Sequence, residues 1–254
     1  MFRLFQKSIA LRLAALGAVI LAGLGVGLSM YPDPLFPHEY RYGSFVVRSD
    51  RPIEPGWDAV LGDAKRRLAT SALYDPDAVF RLYVCNAPWR LWFFTRNKQV
   101  GGFADTFMSR GIFLRESVAG ENRIVPPGDS LADADARTLS YFIAHEATHI
   151  LQSRAFGRLM SVRSPRWLVE GYADHIAKAG AFDAADNRRR LREGDALLTE
   201  TAARRGLYRR YHLMVEHALA GADGSIHRLF ADPPREGELL RALESGAPPD
   251  APSR

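Results

Sequence analysis

The 254-residue chain has one cysteine, Cys85, so no intramolecular disulfide can form, and neither a disulfide scaffold nor a zinc knuckle of several thiolates is open to it. Lysine is nearly missing: only Lys7, Lys65, Lys98 and Lys178 occur, and arginine supplies the rest of the 34 cationic residues. Against 29 acidic residues the net charge is +5. It is spread without a dense basic run interleaved with aromatics, so there is no footprint for nucleic acid. Internal repeats are also missing. Only one long uncharged apolar run occurs, at the N-terminus, which excludes a multi-span membrane protein. With 47% hydrophobic and 25% charged residues, the remainder reads as an ordinary globular protein rather than a disordered one.

Arg3, Lys7 and Arg12 precede that run, which covers residues 13–32 (LAALGAVILAGLGVGLSMYP). About 20 helical residues rise ~30 Å, the thickness of a bilayer's hydrocarbon core. The positive flank predicts a single-pass cell-membrane protein with residues 1–12 cytoplasmic and everything after Pro32 extracytoplasmic, or periplasmic if the envelope has two membranes. A cleaved signal peptide ending near Gly27-Leu28-Ser29 is the second reading. The run exceeds the roughly 7–15 residues of a signal peptide's apolar region, which favours a retained anchor.

The expected organisation is a stub and anchor over 1–32, a stiff proline-rich linker over 33–40, a folded domain over 41–245 and a disordered tail over 246–254. Alternation and β-branched or aromatic content predict strands at 41–48, 78–85 and 111–116. Apolar spacing predicts helices at 55–71, 136–154, 165–180, 186–203, 207–220 and 235–245. This order implies an α+β fold. A small N-terminal sheet lobe with a helix precedes a mostly helical C-terminal lobe, with a cleft between them as the natural site.

The chemistry concentrates in His145-Glu146-Ala147-Thr148-His149. Two histidines four apart sit on one helix face, one turn above the other, and both imidazoles can reach one ion at ~2.0–2.1 Å. Glu146 points about 100° away and is placed to reach a water rather than the ion. A catalytic zinc needs a third protein ligand. Positions 152 and 155, where a glycine and a third histidine would extend the motif, hold Gln152 and Ala155. The alternative is a second helix opened by Ser164-Pro165 and carrying WLVEGYAD. Its Glu170, 21 residues beyond His149, can return to complete the site. Asp174, one turn later, suits an acceptor for the distal nitrogen of a ligating histidine. Asp174 shares a face with Glu170 and stays open as the rival ligand, whereas His175 should point elsewhere.

HEATH followed by WLVEGYAD resembles the gluzincin metallopeptidases, thermolysin-like in site architecture and closest to the peptidase-MA-like group, here on a membrane-anchored, bacterial-type chain. The resemblance is specific over about 141–176. It implies a zincin-like domain with Zn²⁺ held by His145, His149 and Glu170. It also implies Glu146 as general base and Asp174 behind the first histidine. The substrate would be a peptide or protein, hydrolysed by a water that the zinc activates and Glu146 deprotonates. Such enzymes often take an oxyanion donor from a helix downstream. Tyr211 is the first choice here, with Tyr208 and His212 beside it. Residues 111–114 are a candidate edge strand for an extended substrate. Two other functions stay open: a metal-dependent amidase acting on cell-wall peptides, and a zinc-fold binding or scaffold protein without activity. Partners beyond substrate and membrane, and the oligomeric state, are not legible. Cys85 reads as a small buried hydrophobe.

Overall fold

The computed structural model describes residues 2–125 and 137–247. Helix α1 (Phe2–Met30) comes first, and its segment Arg12–Met30 has a mean hydropathy of 2.1 with none of it buried. By length and composition it can cross a membrane. The helix stops before Pro32, whose ring and missing N–H cannot continue it. The following residues do not form the stiff, extended linker expected. Asp33–Leu35 make a 3₁₀ turn and Phe36 is completely buried, its ring 5.1 Å from that of Tyr83. Burying a phenylalanine side chain contributes about 1.5–3 kcal/mol, enough to fold back a short segment.

The segment 41–48, expected as one strand, turns at Gly43 (φ +54°) between β1 (His38–Tyr42) and β2 (Phe45–Ser49). Helix α2 (Trp57–Leu68) then crosses to β3 (Phe80–Cys85). Helix α3 (Pro88–Thr95), which lies in none of the expected helices, leads to β4 (Gly102–Ala104) and β5 (Gly111–Arg115). The sheet order is β1-β2-β3-β5-β4. β2, β3 and β5 are parallel, and β1 and β4 are antiparallel edges. Strand alternation divides the side chains cleanly. Leu82, Val84, Ile112 and Leu114 face the main core, while Tyr83, Cys85 and Phe113 face a smaller cluster with Phe36 and Leu91. Cys85 is buried there as expected.

After a two-stranded ribbon of β6 (Ser117–Val118) and β7 (Arg123–Ile124), the chain becomes helical. Helix α4 (Leu139–Phe156) is capped by the Thr138 side chain, which accepts from Tyr141 N–H at 3.2 Å. The short α5 (Met160–Arg163) precedes α6 (Arg166–Lys178), whose N-cap is Pro165 rather than Ser164. The single helix expected over 186–203 breaks. Gly194 (φ +74°) and Asp195 separate α7 (Ala184–Arg192) from α8 (Glu200–Arg204). α9 (Arg209–Gly221), α10 (Ile226–Ala231) and α11 (Glu236–Ser245) complete the domain. Most of the expected tail lies outside the described residues. The fold is α+β. One hydrophobic cluster runs through the sheet, α2, α4, α6 and α9, so among the described residues no break in this core marks two lobes.

Candidate metal centre

His145 and His149 project from α4 toward Glu170 on α6. The Nε2 atoms of His145 and His149 lie 3.3 and 3.6 Å from Glu170 Oε2, and the three ligand atoms all fall within 4.8 Å of one another. Tetrahedral ligands at ~2.0–2.1 Å from a zinc ion lie about 3.4 Å apart, so this donor set fits such an ion. Gln152, three residues beyond His149, accepts from His149 Nδ1–H at 2.9 Å, which directs the Nε2 lone pair to the group. The amide of Gln152 donates to Val169 O at 2.9 Å and so joins α4 to α6 beside the site. His145 Nδ1 is buried and has no hydrogen-bond partner among the described residues. Burial alone would lower the pKa of His149, but the facing Glu170 overrides it and raises the ring to about 9. Burial likewise opposes ionisation of Glu170, yet the two histidines hold it far below the usual carboxylate range.

Asp174 does not sit behind the first histidine as expected. One turn along α6 from Glu170, it is buried away from the two histidines. It accepts from Tyr141 Oη at 2.6 Å and His212 Nδ1 at 3.0 Å, and Lys178 Nζ lies 2.9 Å away. These partners hold its pKa far below the usual carboxylate range in spite of burial. The same geometry removes Asp174 as a rival to Glu170 in the His145–His149 group.

Glu146 faces the sheet. Its carboxylate accepts from the Ala104 N–H of β4, and burial raises its pKa above the ordinary carboxylate value. A Cβ at Gly102 would lie 2.8 Å from Glu146 Cγ, so only glycine lets this strand approach so closely. The edge strand beside the site is therefore β4. Residues 111–114 belong to β5, which is paired on both sides and buried.

Tyr208, rather than Tyr211, lies against the His145–His149–Glu170 group. Its ring stacks on that of His145 with centroids 5.6 Å apart and planes 7° apart. It is the N-cap of α9 and has φ +27°, a backbone conformation rare outside glycine. Burial and the nearby Glu170 raise its hydroxyl pKa strongly, and the hydroxyl is hydrogen-bonded to Arg166. The Tyr211 ring belongs to the hydrophobic core, and its carbonyl packs on Gly171. His212 is committed to Asp174. His175 points away from the group, as expected, and meets His212.

Sequence reasoning missed Gln152, Gly102 and Ala104. The glutamine lies one helical turn beyond His149, so its spacing is a usable signal for that partner. Gly101-Gly102, between Val100 and Phe103, gave no strand signal, since glycine disfavours strands and its role here depends on a neighbour distant in sequence. Compared with known proteins, the chain matches no family model and no curated protein.

Proposed function

We propose that the protein is a membrane-anchored, extracytoplasmic zinc metallopeptidase. The observation that carries this reading is the convergence of His145, His149 and Glu170, with a fourth side chain, the acidic Glu146 of α4, beside them against the edge strand β4. In this reading the three hold zinc, which when bound polarises a substrate carbonyl and acidifies the attacking water. Glu146 then takes the proton from that water and delivers it to the leaving amine. Its raised pKa suits both halves of that task. An extended peptide pairs with β4, whose outer edge has no strand partner among the described residues and which passes directly over Glu146. Arg166 donates to the Tyr208 hydroxyl, which keeps its own proton to offer to the developing oxyanion. Helix α1 anchors the domain outside the membrane, with the basic flank of residues 1–12 inside.

The test is peptide hydrolysis by full-length protein beside Glu146→Gln. The substitution is expected to lower turnover by about 10²–10⁴-fold while one zinc remains bound. Equal hydrolysis by both proteins would overturn the mechanism. Equal inactivity of both across a broad peptide panel would favour a binding or scaffold role.

A further inference from the structure

A second convergence lies on the far side of Asp174. His175 Nδ1 is 3.4 Å from His212 Nε2, which is 3.3 Å from Glu216 Oε1, and His175 Nδ1 to Glu216 Oε1 is 3.9 Å. These separations are close to the 3.3 and 3.6 Å of the first group and to the roughly 3.4 Å edge of a tetrahedral zinc-type site. We propose that His175, His212 and Glu216 form a second site for a divalent transition-metal ion, separate from the group on α4.

His212 and Glu216 are four apart on α9 and share a face, while His175 comes from the last turn of α6. The His212 ring is held in the orientation a ligand needs. Its Nδ1 lies 3.0 Å from Asp174 Oδ2, so the N–H is given to the carboxylate and Nε2 is left with a lone pair toward the other two ligands. Phe182 stacks on that ring at 3.8 Å and fixes its plane. Arg188 is 3.9 Å from Oε2 of Glu216 and leaves Oε1 to the group. His212 is buried, whereas the His175 side chain is 33% exposed and that of Glu216 24%, so the site has an open side for a water. Two imidazoles and one carboxylate suit zinc, cobalt, nickel or copper rather than calcium or magnesium, which prefer oxygen ligands throughout. An ion there ties the end of α6 to the middle of α9, the helices that carry Glu170 and begin at Tyr208. The inference does not depend on peptidase activity.

The test is Co²⁺ titration of the full chain in detergent after chelator treatment, followed by visible absorbance and metal analysis. Two equivalents are expected for the wild type. One is expected for His175→Ala, for Glu216→Gln and for His149→Ala, and none for His149→Ala combined with His175→Ala. Circular dichroism melting checks that each variant folds, and the more conservative Glu216→Gln serves if His175→Ala does not. Uptake of two equivalents by both His175→Ala and Glu216→Gln, or of a single wild-type equivalent that these two variants keep and His149→Ala loses, would overturn the proposal and leave a hydrogen-bonded His–His–Glu chain. Loss of an equivalent in His175→Ala but not in His149→Ala would instead tell against the first group alone.

Discussion

At the scale of single residues, Glu170 and Asp174 are four apart on one helix yet do different work. Glu170 meets two imidazoles across a gap of the right size for an ion, and Asp174 is surrounded by three donors. Glu170→Ala is therefore expected to abolish metal retention at the first group. Asp174→Ala is expected to keep that metal but lower stability by about 3–5 kcal/mol, because it strips a buried carboxylate from charged and polar partners. Metal analysis and thermal melting of the two variants separate these outcomes, and the reverse order would exchange the roles. Tyr208→Phe is expected to lower turnover by about 10²–10³-fold with metal retained, the usual effect of losing one oxyanion donor. Tyr211→Phe should cost far less, and kcat for the two variants decides. His145, Glu146 and His149 were legible because one helical turn fixes their mutual geometry. The choice between Tyr208 and Tyr211 was not. It depends on how α9 enters at an unusual backbone angle, which spacing alone does not encode.

At the scale of elements, the site is the meeting of α4, α6 and β4, and two glycines set the distances. A Cβ at Gly171 would collide with the Tyr211 carbonyl, and one at Gly102 would press into Glu146. Gly171→Ala should push α6 and α9 apart and destabilise the domain by about 1–3 kcal/mol, measurable as a lower melting temperature. Gly102→Ala should leave metal content intact and reduce turnover, since it displaces the proposed base, Glu146, rather than the proposed ligands; loss of metal with it would refute that separation. The long helices α6 and α9 were readable because an apolar face repeats over three or more turns, and α4 because it is apolar nearly all round over about five. The strand β4 was not, because three residues carry no period. The break between α7 and α8 at Gly194-Asp195 was hidden because Ala196, Leu197 and Leu198 just beyond it continue an apolar, helix-like spacing. Phe36 folds under the sheet for a reason local composition conceals: the prolines around it suggest extension, but its ring finds Tyr83 and Phe94.

At the scale of the whole molecule, metal, charge and stability are linked through the buried His–Glu pairs. In the metal-free protein the His149–Glu170 pair stabilises the fold while the ring is charged and the carboxylate ionised. The pKa of His149 is raised, so its contribution is present below its ordinary value and disappears as pH rises through about 9. The pKa of Glu170 is lowered, so its contribution is present above the ordinary carboxylate range and disappears in acid. Denaturant unfolding of chelator-treated protein should accordingly show this pair's contribution at pH 6 and its loss by pH 10, and His149→Gln should flatten that alkaline decline. The α+β class and the long apolar N-terminal helix were both legible, because they rest on composition and period over tens of residues. A two-lobed division was not borne out by the core, which is continuous from sheet to helices because α4 buries almost every face. The most direct measurement is anomalous diffraction at the zinc edge from crystals of the zinc-loaded protein. The expected result is a peak at about 2.0–2.2 Å from Nε2 of His145, Nε2 of His149 and a Glu170 oxygen, with Glu146 outside bonding distance. A crystal with no peak among these side chains, or one bound without Glu170, would contradict it.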